Sequence, residues 1–353
     1  MLEKKQYLAI DLMKFVLAVL LICAHASSEK LSFPVYIDVW FSLYIIAVPF
    51  FFTTSAFFFF KKVTNEDDKL ARLQHYKRYT KRILLMYLMW SLIYTCFMVA
   101  HWVQTDSLTL EAFAKHIFYS ITYTSYPTIW FLPSLWVAVS LVYFCWERKM
   151  KVYNILFVSL LFYAIGWMMY TIPANGLPFA NVLEWYDLIF KSPRNGFFNG
   201  FIYAAIGAYI AINRSKIFSK NSKSFITYYI LSAILFGGAV AEAILSKKFI
   251  NPQVDANFVF LLIPFTYFFV IATAKTELKP SPIYLSCRNL SLLLFLSQRI
   301  FLTAIPLLLP VGVVAAISSN PYIGLLIFLG STFIFSLLIV KLSSRYIFLK
   351  VLW

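Results

Sequence analysis

Residues 7–25 read YLAIDLMKFVLAVLLICAH and form an almost continuous apolar run. A helix needs about 20 mostly apolar residues to cross the hydrocarbon core of a bilayer, which this run provides when it is extended to residue 27. Nine similar stretches follow, so the sequence predicts an all-α, polytopic membrane bundle with about ten transmembrane helices. The predicted spans are residues 7–27, 37–60, 83–102, 128–146, 152–172, 196–213, 225–246, 256–274, 288–309 and 322–342.

The composition excludes a soluble protein. The chain is 61% hydrophobic and only 13% charged, whereas soluble domains have about 45–50% apolar and about 25% charged residues. The net charge of +16 comes from Lys and Arg in short segments between apolar stretches. Membrane topology explains that distribution, so we expect contacts with membrane lipids and no nucleic acid partner.

The Lys and Arg residues also predict the topology. With the N-terminus in the cytoplasm, 23 of the 31 basic residues lie in inner segments and 6 in outer ones, while Lys14 and Arg299 lie within spans. Basic residues are retained on the cytoplasmic side of membranes. The sequence thus predicts that both termini are cytoplasmic and that residues 1–353 form one domain. The longest inner loop is predicted at 61–82. Outer loops that contain short interfacial segments are predicted at 103–127 and 173–195.

Four cysteines lie in or beside apolar stretches, and none forms a C-x-x-C pair. We expect small buried apolar side chains rather than disulfides or metal ligands. An alternative for the N-terminus is a signal peptide, since Ala24-His25-Ala26 imitates a cleavage site. Asp11 and Lys14 interrupt its apolar run and favour a retained helix.

Three ionisable residues of the first span share one helix face. Asp11 and Lys14 are about one turn apart, and the eleven residues from Lys14 to His25 make about three turns, or about 16 Å. Ionisable groups within spans are costly and usually face a protein interior or a water-filled cavity. The face thus combines an anion-attracting group near the cytoplasm with a proton acceptor near the outer side. The alternative is that Lys14 reaches the interface, Asp11 neutralises it and His25 lies among headgroups.

This first helix resembles that of the acyltransferase-3 family of membrane acyltransferases, which carries an Asp, a basic residue, ten further residues and a His. Here these are Asp11, Lys14 and His25. Residues 48–62, VPFFFTTSAFFFFKK, resemble the family's F-F-x-x-S-G-F run, with Ser55 in place and Ala56 where glycine is usual.

The resemblance continues along nearly the whole chain. Residues 128–136, TIWFLPSLW, are similar to the W-F-L start of the fourth helix at Trp130, and residues 194–207 to a helix rich in aromatic residues and Gly. Gln298 stands where many members have a His, so we assign it no acid–base role. Residues 76–87, YKRYTKRILLMY, are similar to the family's Arg-rich entry to the third helix, which aligns Lys77, Arg78, Lys81 and Arg82.

The resemblance implies transfer of an acyl group, usually acetyl, from cytoplasmic acyl-CoA to a sugar hydroxyl of a surface polysaccharide or lipid-linked glycan. His25 would be the general base, with an acyl-imidazole intermediate as the alternative. Acetyl-CoA would be a co-substrate, and we expect no permanently bound cofactor. The candidates for binding the phosphates of the donor are Lys14, Lys77, Arg78, Lys81 and Arg82. The candidate supporting residues are Asp11, Ser55, Trp130, Glu242 and Arg299.

Two other classes of function stay open at this stage. A transporter or flippase for a lipid-linked glycan would share the bundle and the basic inner side, without acyl-transfer chemistry. A regulatory subunit of a polysaccharide synthase would need neither Lys14 nor His25 for activity. The expected location is the bacterial cytoplasmic membrane.

Overall fold

The computed structural model describes residues 6–29, 31, 42–171, 180–219, 223–250 and 258–353. These residues form 13 helices of nine residues or more, together with short 3₁₀, π and α turns. The helices are α1 Leu8–Glu29, α2 Ala47–Val63, α3 Lys69–Gln104, α4 Leu110–Thr122, α5 Phe131–Glu147, α6 Val152–Thr171, α7 Ala180–Phe190, α8 Phe201–Ile212, α9 Phe225–Phe249, α10 Leu262–Lys275, α11 Pro282–Leu308, α12 Val311–Ser319 and α13 Pro321–Leu342.

Each of the ten predicted spans coincides with a helix, which confirms the all-α fold class. The first part of the second span, residues 37–41, lies outside the described residues. Among those described, six helices are long and apolar enough to cross a membrane, and three shorter apolar helices accompany them. The protein is therefore a multi-pass membrane bundle, while the number of crossings and the location of its termini stay predictions.

The prediction of a long inner loop over 61–82 is wrong. Helix α2 continues to Val63 and α3 begins at Lys69, so only a short connection separates them. Asp68 caps the N-terminus of α3, because its carboxylate accepts hydrogen bonds from the backbone N–H groups of Leu70 and Ala71. The 36 residues of α3 extend for about 54 Å, well beyond a hydrocarbon core of about 30 Å. The basic segment is thus a helical extension of a span.

The short segments expected in the two outer loops are helical. Helix α4 lies within 103–127 and has no buried residue, and α7 lies within 173–195. The hydroxyl of Tyr119 on α4 donates to the carbonyl of Leu188 on α7 at 3.3 Å. The two segments therefore pack against each other at one end of the bundle.

Helices α1 and α11 pack side by side and run in the same direction. His25 contacts Gln298, an offset of 298 − 25 = 273, and Lys14 interacts electrostatically with Arg288, an offset of 288 − 14 = 274. The two offsets differ by only one residue over about three turns. The two helices are therefore parallel and nearly in register. The polar residues of α1 therefore face those of α11 along their length.

Helix α2 runs antiparallel to α1. The Lys14 ammonium lies 5.1 Å from the ring centroid of Phe58, whereas His25 lies beside Tyr44, in the 3₁₀ turn that leads into α2, with ring centroids 6.2 Å apart. We call the Lys14 end of α1 the inner end and the His25 end the outer end, after the predicted topology.

Helices α2 and α8 approach closely at Gly207. A Cβ at this position would meet the carbonyl oxygen of Thr53 and would lie 2.8 Å from the Cβ of Ala56. The close packing of Ala56, at a position where the family usually has glycine, is thus possible because the opposing helix provides the glycine.

The cysteines are only partly as expected. Cys23 and Cys287 are buried and Cys145 is half-buried, but Cys96 is exposed, so the prediction of four buried cysteines is wrong there. Cys96 follows the exposed Leu88 and Leu92 at helical spacing of four. It therefore belongs to an outward, apolar face of α3 that suits contact with lipid.

We expect Gly207→Ala to lower the free energy of unfolding by about 1–3 kcal/mol, since the added methyl group forces α2 and α8 apart. Thermal unfolding of the purified protein in detergent measures this change. Gly330→Ala is the matched control, because a Cβ there meets nothing within 4 Å. Equal melting temperatures for the two variants would contradict tight packing at Gly207.

Candidate active site

The outer end of the α1–α11 pair carries a histidine with a defined partner. The Nδ1 atom of His25 lies 2.9 Å from Oε1 of Gln298. Gln298 is fully buried, and its Nε2 donates to the carbonyl oxygen of Phe295 at 2.8 Å. A carbonyl only accepts, so the amide nitrogen must face Phe295 and the amide oxygen must face His25.

That contact defines the tautomer of His25. An amide oxygen can only accept a hydrogen bond, so Nδ1 of His25 carries the proton and donates it to Gln298. The lone pair of the neutral ring is then on Nε2. Gln298 thereby orients His25 and leaves Nε2 as the basic atom. Catalytic histidines in other proteins are oriented in the same way, by a hydrogen bond to their second nitrogen.

Two guanidinium groups lie close enough to His25 to interact with it electrostatically, those of Arg299 and Arg194. Arg299 follows Gln298 on α11, so this helix carries a cation near the outer end of α1. The guanidinium carbon of Arg194 lies 5.0 Å from the ring centroid of Trp130, a cation–π contact. Trp130 itself is buried. Two cationic side chains therefore lie within electrostatic range of the imidazole.

A pair of stacked tyrosines supports α11 behind this site. The rings of Tyr94 and Tyr126 are parallel, with centroids 4.2 Å apart. The Tyr94 hydroxyl donates to the carbonyl of Leu296 at 2.6 Å, and the Tyr126 hydroxyl lies 2.6 Å from Oγ1 of Thr303. These bonds bracket Gln298 and Arg299, so they fix the position of the helix segment that orients His25.

A cluster of charges occupies the inner end. Lys14 interacts electrostatically with Asp11, Arg82 and Arg288. The cluster contains three cations and one carboxylate, so it has a net positive charge. Asp11 lies beside Lys14, in agreement with the prediction that these two pair. A cluster with net positive charge is suited to binding phosphate groups.

The other predicted donor-binding residues lie on the helical extension of α3. Lys77, Arg78 and Lys81 are exposed and precede Arg82 by one to five residues. The structure brings Arg82 together with Lys14 and leaves these three on the surface of the same helix. Their part in binding stays a prediction.

Ser55 lies far from the imidazole of His25, and Glu242 contacts a different part of the bundle. Ser55 is eleven residues beyond Tyr44 along α2, which places it about 16 Å deeper in the bundle than His25. This depth argues against a hydrogen bond from Ser55 to a group that reacts beside His25. The Glu242 carboxylate accepts the backbone N–H of Phe260 at 2.7 Å and of Leu261 at 2.9 Å, just before α10. This contact gives Glu242 a structural role; a catalytic one stays a prediction.

Sequence reasoning did not assign roles to Gln298, Arg288 or Arg194. Gln298 does not act as an acid or base but positions His25. A signal for the first two exists in the spacing: Arg288 and Gln298 are ten residues apart on one helix, almost matching the eleven from Lys14 to His25. An outer loop brings Arg194 close to His25, and no spacing of residues along one helix predicts that proximity.

Comparison with known proteins identifies the family of the chain. A family model described as an acyltransferase domain, that of acyltransferase family 3, matches residues 7–341. No curated protein and no solved structure matches the chain. The match covers nearly the full length and includes every candidate site residue, and the chain therefore belongs to the acyltransferase-3 family of membrane acyltransferases.

Proposed function

We propose that this protein is a membrane O-acyltransferase that takes an acyl group, which we propose to be acetyl, from cytoplasmic acyl-CoA. The acceptor is a hydroxyl of a surface polysaccharide or lipid-linked glycan at the outer side. The observation that supports this most directly is the hydrogen bond between His25 Nδ1 and Gln298 Oε1. It prepares Nε2 of His25 to accept a proton, on the same pair of helices that carries the cationic inner cluster. The bacterial cytoplasmic membrane is the location we propose.

The donor binds from the inner end. The phosphates of CoA contact Lys14, Arg82 and Arg288, whose net positive charge attracts them. Lys77, Arg78 and Lys81 extend the attractive field along α3. The pantetheine arm, which is long and thin, then passes along the α1 face past the depth of Ser55. The thioester reaches His25 about 16 Å above the cluster.

The chemical step takes place at His25. Nε2 takes the proton from the acceptor hydroxyl as its oxygen attacks the thioester carbonyl, forming the C–O bond. The oxyanion of the tetrahedral intermediate is stabilised by Arg299 and Arg194, with the indole N–H of Trp130 as a further donor. The intermediate collapses by breaking the C–S bond, and the departing thiolate takes the proton from the imidazolium. Ester and CoA are the products.

The alternative route runs through an acyl-imidazole. There Nε2 attacks the thioester itself, and the acceptor hydroxyl attacks the acyl-histidine in a second step. A transporter or flippase needs neither route, and membership of an acyltransferase family favours the chemical reading.

Replacing His25 with Ala should reduce acyl transfer by about 10²–10⁴-fold, because the general base is lost. Transfer of radiolabelled acetyl from acetyl-CoA to glycan in membrane vesicles measures this. His101→Ala is the matched control, an exposed histidine near the end of α3. Near-normal activity of a well-folded His25→Ala protein would show the mechanism to be wrong. Intact-protein mass spectrometry with donor alone separates the two routes, since only the second leaves an acetyl adduct on His25.

Replacing Gln298 with Leu should lower kcat about 10–100-fold and leave the KM for acetyl-CoA almost unchanged, because His25 loses its orienting acceptor. Gln298→Glu retains an acceptor oxygen and should keep more activity than the Leu variant. Ser297→Ala is the control: this neighbouring buried residue donates a hydrogen bond to the carbonyl of Leu293 within its own helix. Equal kcat for Gln298→Leu and the control would contradict a positioning role.

Replacing Arg288 with Gln should raise the KM for acetyl-CoA about tenfold while kcat changes little, since one charged contact to the donor is removed. Isothermal titration with CoA gives the same change as a dissociation constant. Lys279→Gln, at an exposed site before α11, is the control for loss of one inner charge. A fall in kcat with unchanged KM would place Arg288 outside the donor site.

A further inference from the structure

A cleft of about 380 Å³ opens at the outer end of the bundle, and the reaction described above does not use it. Its size falls within the range of about 300–1,000 Å³ that is usual for ligand sites. The end of α3, helix α4, the segment after α4 and Lys191 enclose it. We call it the Lys115–Lys191 cleft. Its lining residues are Met98, Trp102, Ala112, Lys115, His116, Tyr119, Tyr123, Thr124, Ser125, Tyr126, Pro127 and Lys191.

The cleft has a positive charge. Lys115 and Lys191 are exposed at its edge, and none of the described lining residues is acidic. Burial lowers the pKa of His116 below its ordinary value, and Nε2 of this residue lies 2.9 Å from Oγ1 of Thr95. His116 therefore contributes hydrogen bonding, and the two lysines contribute the charge.

These lysines stand in an unusual place for basic residues. Lys and Arg are depleted from outer segments of membrane proteins. The described outer segments have five basic residues, and three of them, Lys115, Lys191 and Arg194, lie at the cleft or at the active site. Topology disfavours them there, so binding of a negative group gives a reason for their position.

Lys191 is held firmly at the edge of the cleft. Its backbone has φ of 56°, a left-handed conformation that is uncommon for a residue with a side chain. Its N–H donates to the carbonyl of Asp187 at 3.0 Å, and its ammonium lies 3.8 Å from the ring centroid of Tyr119. The ammonium thus lies over an aromatic ring at the exposed edge of the cleft.

Aromatic rings form the rest of the wall. Trp102, Tyr119, Tyr123 and Tyr126 line one continuous cleft, with hydroxyl or indole N–H groups at their edges. A sugar ring has an apolar C–H face and a rim of hydroxyls, so it matches such a wall on both counts. Lysines beside the rings match a negative substituent on the same chain.

The cleft adjoins the active site through one shared residue. Tyr126 lines the cleft, stacks on Tyr94 and contacts Thr303 of α11. Tyr94 in turn interacts electrostatically with Arg299, which acts on His25. Tyr126 therefore links the wall of the cleft to the helix segment that orients His25.

We propose that the Lys115–Lys191 cleft binds the acceptor glycan and selects one that carries a phosphate or carboxylate near the sugar to be acylated. This inference rests on the proposed function. The sugar face packs on the tyrosine rings, and the anionic group contacts the two ammonium groups. Neutral glycans lack the second contact and bind more weakly.

The test compares kinetics on paired acceptors of equal length, one with a phosphate or uronate group and one neutral, in nanodiscs of phosphatidylcholine. We expect Lys115→Gln and Lys191→Gln each to raise the KM for the anionic acceptor about tenfold with kcat within twofold, and to leave the neutral acceptor unaffected. Lys247→Gln, an exposed lysine at the end of α9, is the matched control and should change neither value.

Unchanged KM for the anionic acceptor, or an equal rise for both acceptors, would overturn the inference. A second arm adds phosphatidylglycerol to the nanodiscs. If the lysine variants respond to this lipid and not to the charge of the acceptor, the cleft holds a lipid headgroup and the inference fails. Absence of transfer to any acceptor by the wild-type protein would instead refute the proposed function, so the two failures are distinguishable.

Discussion

The parallel, in-register packing of α1 against α11 is the constraint on which the rest of the site depends. Both helices carry polar residues at nearly the same spacing, Lys14 with His25 and Arg288 with Gln298. Within a bilayer each of these groups would be costly without a partner. At the outer end, His25 and Gln298 share a hydrogen bond across the helix pair. At the inner end, Lys14 and Arg288 have like charges, and the carboxylate of Asp11 attracts both of them. The same packing therefore builds a polar face between the two ends of α1.

The packing around this pair explains how the polar face keeps its geometry. Helices α2 and α8 approach closely because Gly207 leaves room for the backbone at Thr53 and for the side chain of Ala56. The stacked Tyr94 and Tyr126 hold α11 from the other side. A rigid surrounding is what a proton-transfer site requires, since small shifts in position cost much of the rate.

The sequence predicted the ten apolar stretches, because span length and hydrophobicity are local properties. It also predicted the shared face of Asp11, Lys14 and His25, because helical periodicity is local too. It failed over 61–82, where charges indicated a loop although a helix can extend beyond the membrane with its side chains in water. The sequence did not predict the contact between His25 and Gln298, which are 273 residues apart. Only the fold brings such residues together, and a single sequence carries no direct signal for it.

The choice of Gln298 as the partner of His25 follows from the cations nearby. A carboxylate at this position would orient the imidazole equally well, but it would also attract the guanidinium groups of Arg299 and Arg194. One of their two positive charges would then be offset by ion pairing, in a medium where such pairs are strong. An amide oxygen accepts the Nδ1–H of His25 without competing for the cations. In the proposed mechanism, the guanidinium groups then remain available to the negative charge that develops on the attacked carbonyl, which is the advantage of an uncharged orienting residue over a carboxylate.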